Sequence, residues 1–180
     1  MGAMEIISGY RQYAQLAAVV LGGCLHMGYF RRGEHHMHGL RYLQTSIAFV
    51  TTSTIVLKIA CDLSWTSSLQ VISSISFRLC LGLSSSTIIY RLFFHPLRRF
   101  PGPLPARVTS LWYSSQVTNF DAHTFALGLY TKYGPFVRVG SSDLMIVHPL
   151  AVPAIHGAQS KCRKASWYDE DYPRQSIHTS

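Results

Sequence analysis

The chain has 180 residues, of which 48% are hydrophobic and only 13% charged, where an ordinary soluble domain has roughly a quarter charged. That balance argues against a small water-soluble core and for a membrane protein, with about half of the chain left to fold in water. The formal charge of +8 comes from sixteen Lys and Arg against eight acids; beside so much apolar sequence it suits membrane lipid, since each basic residue near an anionic surface contributes about 1 kcal/mol, and nucleic acid is not an expected partner.

Tyr13 to Phe30 is an apolar run of 18 residues closed by Arg31-Arg32, close to the ~20 residues a helix needs to cross the hydrocarbon core. It predicts a first transmembrane helix. A cleaved signal peptide is the alternative, because Leu16 to Leu25 would make an h-region and Leu21-Gly-Gly-Cys24 faintly resembles a cleavage box. Two further apolar spans downstream weigh against it. Leu43 to Cys61 predicts the second span, with Lys58 near enough to its end to reach the interface and a Thr-rich middle, Thr51-Thr-Ser-Thr54, whose hydroxyls can return bonds to helical carbonyls. Leu69 to Phe94 predicts the third. Arg78 falls inside it and should face another helix or shift the span toward its C-terminal half, because a charge at the bilayer centre costs about 2.5–3.5 kcal/mol.

Loop charges set an orientation. Residues 31–41 carry Arg31, Arg32 and Arg41 against Glu34, the connection Asp62 to Ser68 carries no basic residue, and Arg98, Arg99 and Arg107 follow Phe94. The positive-inside rule then places the first loop and the C-terminal segment in the cytosol, an alternation that three spans fit and two do not.

Residues 95–105 form a basic, proline-rich hinge. Phe100-Pro-Gly-Pro103, with Pro105 beyond, cannot continue a helix because prolines lack a donor and restrict the residues before them. Asp121 can cap a helix in which Phe125 and Leu129 share a face, ended by Gly134-Pro135. Phe136 to Gly140 and Leu144 to His148 predict a hairpin turning through Ser141-Ser-Asp143, and Pro153 opens a short helix that ends near Gly157. The polar tail, residues 159–180, has no sustained period and predicts loop or disorder.

Tyr90-Arg-Leu-Phe-Phe-His-Pro-Leu-Arg-Arg-Phe-Pro-Gly-Pro103, followed by Tyr133-Gly-Pro-Phe-Val-Arg-Val-Gly140, closely resembles the anchor, hinge and first-strand region of membrane-bound fungal cytochrome P450 monooxygenases. The loop Arg31-Arg-Gly-Glu-His-His36 is similar to loops between the anchors of multi-span members. The resemblance implies a multi-span α-helical anchor over residues 1–94, followed at residues 106–158 by an incomplete P450-like α+β segment comprising helix A, the first two sheet strands and helix B. It implies an endoplasmic reticulum membrane, and complete relatives that are haem-dependent oxidoreductases acting on hydrophobic small molecules in fungal secondary metabolism. Such relatives run to roughly three times this length and take electrons from an NADPH-cytochrome P450 reductase.

The family's haem thiolate sits in F-x-x-G-x-x-x-C-x-G. Cys80 has Gly82 two places on, but Ser76 and Ser73 stand where Gly and Phe are required, and Cys24, Cys61 and Cys162 fail at every marker position. The E-x-x-R pair is missing too: Glu5, Glu34 and Glu170 are followed three places later by Ser8, Met37 and Pro173. No catalytic, cofactor-binding or metal-binding residue is therefore nominated. The expectation is a truncated P450-like chain without activity or haem of its own. The alternatives are a non-enzymatic membrane adaptor for full-length P450s or their reductase, and a non-functional remnant. Glu34-His35-His36-Met37-His38 is metal-capable in residue type only, because adjacent imidazoles do not converge on one ion from a regular helix; a solvated loop is expected there. The stretches Ser73-Ser-Ile-Ser76 and Ser84-Ser-Ser86 read as helix-packing surfaces, and no phosphate-binding loop appears.

Overall fold

A computed structural model describes residues 3–33, 35, 38–117 and 121–163, with side chains from Gln12 onward. The chain divides into two compact units, one reaching Thr87 and the other covering Ile88–Ala165.

The first unit contains α1 (Ala3–Leu25), continued by a wide π turn over His26–Phe30, then α2 (Gly39–Cys61) and α3 (Trp65–Ile89). Helices therefore begin earlier than the expected spans at Tyr13, Leu43 and Leu69. All three are long and apolar enough to cross a membrane, over Gln12–Phe30, Gly39–Cys61 and Trp65–Phe94. At 1.5 Å per residue the 23 residues of α2 extend about 34 Å, matching a hydrocarbon core about 30 Å thick. The turn between α2 and α3 is short because two polar residues shape it. Asp62 adopts a left-handed conformation (φ 49°) after the last turn of α2, and the Ser64 hydroxyl accepts the Ser67 N–H at 3.1 Å, capping α3.

Small residues bring α1 and α3 together. A methyl group on Gly22 would overlap the Leu79 carbonyl oxygen and come within 2.7 Å of the Leu83 nitrogen, while one on Gly82 would overlap the Val19 carbonyl. The two backbones touch at a reciprocal glycine pair, the close approach that only small residues permit between helices. His26, 3% exposed, extends this seam through a 2.8 Å hydrogen bond between its Nδ1 and the Ser86 hydroxyl. Of the serine stretches, Ser86 meets His26 and Ser76 lines a groove of about 630 Å³ together with Ala14, Ala18, Cys24, Phe49 and Leu79, whereas Ser73, Ser84 and Ser85 are exposed. The interior of this unit is mostly small or polar (Ala18, His26, Thr54, Ser68, Gly82), with Leu63 of the α2–α3 turn also buried, whereas Tyr13, Ile59 and Phe77 are 72%, 76% and 68% exposed. Arg78 is half-buried within α3.

The second unit opens with a π turn over Tyr90–Phe94 and a 3-10 turn over Pro96–Arg99. Two short helices then follow that the sequence reading did not expect, α4 (Leu104–Val108) and α5 (Leu111–Gln116). The prolines explain α4: Pro105 lies in the first turn, where its missing N–H removes no intrahelical bond. The expected helix A is α6 (Ala122–Tyr133), preceded by Asp121 as foreseen, but the Asp121 side chain makes no capping bond; its backbone carbonyl accepts the Phe125 N–H at 3.0 Å instead. Strands β1 (Phe136–Arg138) and β2 (Leu144–Ile146) pair antiparallel with Val137 opposite Met145. They are shorter than expected, because Val139 and Gly140 already turn back to the Asp143 carbonyl. The last helix, α7 (Ala151–His156), is followed by Gly157. Residues 159–163 are irregular, and the remainder of the tail expected to be disordered lies outside the described residues.

Candidate functional site: a carbonyl clasp around Arg138

Among the described residues of the second unit Ala106, Leu129, Val137, Arg138 and Gly140 are buried, and both Val137 and Arg138 are fully inaccessible. A fully buried guanidinium requires partners. Those of Arg138 are backbone carbonyls: Nε donates to Gly140 at 3.2 Å, Nη1 to Arg91 at 3.0 Å, and Nη2 to Ser141 at 2.6 Å and to Arg107 at 3.4 Å. The strand backbone reinforces them, since the Arg138 N–H donates to the Pro101 carbonyl at 2.8 Å. The side chain thus closes the π turn, α4 and the β1–β2 turn around itself, while the backbone N–H of the same residue holds the proline elbow.

Gly102 is required by the same approach, because a methyl group there would overlap the Arg138 carbonyl oxygen. Arg91 repeats the device, donating from Nη1 to the Val108 carbonyl at 2.6 Å. Ser110 locks the turn by donating to Asp143 Oδ2 at 2.7 Å and accepting the Ser141 N–H at 3.2 Å. Burial, followed by the neighbouring Arg107 and Arg91 charges, lowers the Arg138 pKa. His95 is also held below the ordinary imidazole value, first by burial and then by Arg138 and Arg91. Its Nδ1 accepts the Leu97 N–H at 3.1 Å.

This arrangement is structural: it holds backbone segments together and presents no nucleophile, base or oxyanion donor to a substrate. Sequence reasoning named Arg138 only within the resemblance motif and assigned it no role, because nothing local distinguishes a strand arginine aimed at carbonyls from one aimed at solvent. In the histidine loop, residues 34, 36 and 37 lie outside the described residues. His35 is half-buried, its Nδ1 2.7 Å from the Tyr42 hydroxyl and its Nε2 2.6 Å from the Arg32 carbonyl, while Arg31, Arg32, Gly33 and His38 are exposed. Among the described residues no group of three or more His, Cys, Asp or Glu side chains could hold a metal ion.

Relatives extend across almost the whole chain. It is 36% identical to cytochrome P450 monooxygenase notG' of Aspergillus versicolor over 176 residues, covering 98% of this chain and 32% of the relative. It is 34% identical to tryprostatin B 6-hydroxylase of Aspergillus fumigatus over 166 residues, covering 90% and 30%, and 52% identical to cytochrome P450 monooxygenase sthD of Phaeosphaeria nodorum over 99 residues, covering 55% and 21%. No family model matches, and no solved structure does. The chain's homologues are fungal cytochrome P450 monooxygenases. The chain spans about a third of the length of the curated relatives it matches over most of its own length.

Haem is the cofactor that this family implies, and the described cysteines do not offer it a fitting site. Cys24 lines the groove of the first unit, whose other walls carry no cation to meet the propionates, and Cys61 and Cys80 belong to α2 and α3. Cys162 is exposed in the irregular segment after α7, its N–H donating to the Ser160 hydroxyl at 3.1 Å.

Proposed function

We propose that this chain is a membrane-anchoring segment of a P450-type protein. In this reading α1, α2 and α3 span the endoplasmic reticulum membrane, the residues after Phe94 lie at its cytosolic face, and the chain alone performs no haem chemistry. The observation carrying the reading is the first unit's burial pattern, with mostly small and polar residues inside, Leu63 apart, and many large apolar ones outside, the arrangement a lipid solvent favours. Its helix ends support it. Tyr29, Phe30, His35 and Tyr42 cluster beside Arg31, Arg32 and Arg41, with Tyr29 and Tyr42 hydroxyls 3.1 Å apart. At the α2–α3 turn the Lys58 ammonium lies 5.2 Å from the centre of the Trp65 ring. Aromatic and basic residues at both ends are what an interfacial belt requires. The half-buried Arg78 is accommodated if the bilayer takes the C-terminal part of the 30-residue span Trp65–Phe94.

Full-length relatives would oxidise hydrophobic small molecules at a haem, drawing electrons from an NADPH-dependent reductase. Membrane lipid, that reductase and full-length P450s are the partners proposed for this chain. A second reading, a non-enzymatic adaptor, draws on the exposed Leu111, Leu127, Leu150 and Val152 of the second unit; co-purification of a full-length P450 would favour it. Protease protection in microsomes tests the anchoring. A tag after Ser180 should be digestible and a tag between Asp62 and Ser68 protected. Digestion of both would overturn the three-span arrangement.

A further inference from the structure

The sequence His-Pro-Leu occurs twice in the second unit, at residues 95–97 and 148–150, and both copies make the same contact. His95 Nδ1 accepts the Leu97 N–H at 3.1 Å, and His148 Nδ1 accepts the Leu150 N–H at 3.2 Å. Each histidine stands just before a helical turn: Pro96–Arg99 in one case, and in the other α7, whose first residue donates from Ala151 N–H to the His148 carbonyl at 2.9 Å. The proline between contributes no N–H, so the leucine amide is the first donor of the turn, and a helical start leaves such donors without intrahelical partners. The imidazole takes the place of the Asn, Asp or Ser that usually accepts this bond.

Unlike those residues, histidine can lose its acceptor. A bond accepted at Nδ1 requires that nitrogen to be unprotonated, with the ring proton on Nε2. The two copies are also joined: the turn after His95 ends at Phe100, whose ring lies 6.2 Å from that of Phe136, and Phe136 stacks on His148 at 6.3 Å with 20° between planes.

We propose that His95 is a pH-sensitive latch, its neutral imidazole holding the turn over Pro96–Arg99 and releasing it when protonated. Protonation turns His95 Nδ1 into a donor facing another donor. At His95 it also adds a cation where the charged groups acting on the ring are Arg91 of the π turn and Arg138 of β1, with Arg107 of α4 acting on Arg138. Arg98 and Arg99 lie on the same turn, Tyr90 packs edge-on at 5.7 Å, and Asp143, the carboxylate of the β1–β2 turn, is engaged by Ser110. His148 faces the uncharged Phe136 ring. Since burial and those arginines lower the folded-state pKa of His95, its contribution is fully present above the unfolded value of ~6.5 and is lost as pH falls through the folded value.

Amide hydrogen exchange on the full chain in lipid nanodiscs, corrected for intrinsic rates, tests the latch. Protection of the Leu97 amide should fall about fivefold between about pH 7.5 and pH 5, the size of a lost cap. In H95N the carboxamide oxygen can still accept the Leu97 amide but does not titrate, so protection should persist at both pH values. Equal wild-type protection at the two pH values, or an equal fall in the asparagine variant, would overturn the proposal.

Discussion

Replacing Arg138 by methionine keeps much of the side-chain length and removes every donor from the clasp. The contacts to Ser141 at 2.6 Å and Arg91 at 3.0 Å are short enough to count fully. Those to Gly140 at 3.2 Å and Arg107 at 3.4 Å are weaker. A hydrogen bond from a charged donor contributes about 1.5–3 kcal/mol net, and leaving its buried acceptor unpaired costs about 1–3 kcal/mol, so the two strong contacts together are worth about 4 kcal/mol. An opposing effect is the relief of burying a charge beside Arg107 and Arg91 with carbonyls as its partners, which returns about 1 kcal/mol because apolar replacement of buried charge is often favourable. The net loss, about 3 kcal/mol, is roughly two decades in an opening equilibrium. Hydrogen exchange at Val139 and Gly140, whose amides donate to the Asp143 carbonyl at 3.1 and 3.4 Å, reads that opening directly. R138M should lose about a hundredfold protection there. R138K should lose about tenfold, because one ammonium cannot reach carbonyls arranged for a planar fork. Protection in R138M within a factor of two of wild type would refute the view that Arg138 holds the unit together.

Gly82→Leu should separate α1 from α3, because the added side chain meets the Val19 backbone; a lowered thermal-aggregation midpoint in detergent, with no matching drop for leucine at the uncrowded Gly28, is the expected result. The purified chain should show no thiolate band in the reduced carbon-monoxide difference spectrum, and a clear band would mean that one of its four cysteines ligates haem. Residues 104–180 cut free should neither melt cooperatively nor protect the strand amides: an isolated hairpin is marginal in water, and the cut removes the Arg91 and Pro101 carbonyls that hold Arg138. A sharp melt of the monomeric fragment would contradict this.

Much of the architecture was legible because its signals are local. Apolar runs of about twenty residues, the arginines between them and the prolines after Phe94 each act within a few residues of themselves, and the three long helices and the hairpin are found where those signals stand. Even so, the elbow prolines concealed α4, because a proline that stops one helix is equally suited to start the next. Asp121 marked the start of α6 by residue type, although its side chain makes no capping bond. The two His-Pro-Leu segments were visible as text, but only backbone geometry shows that a ring nitrogen takes the leucine amide in both.

What the sequence alone determined is therefore three apolar helices followed by a proline-rich segment and a hairpin, since length, hydropathy and proline placement are one-dimensional properties. The tertiary structure alone decided which polar groups are held inside. Arg138 finds the Arg91 carbonyl 47 positions away, and His26 finds Ser86 across 60. The partners of a buried polar group are set by where backbones converge in space, and a carbonyl that accepts such a bond belongs to every residue type alike, so no letter in the sequence announces it.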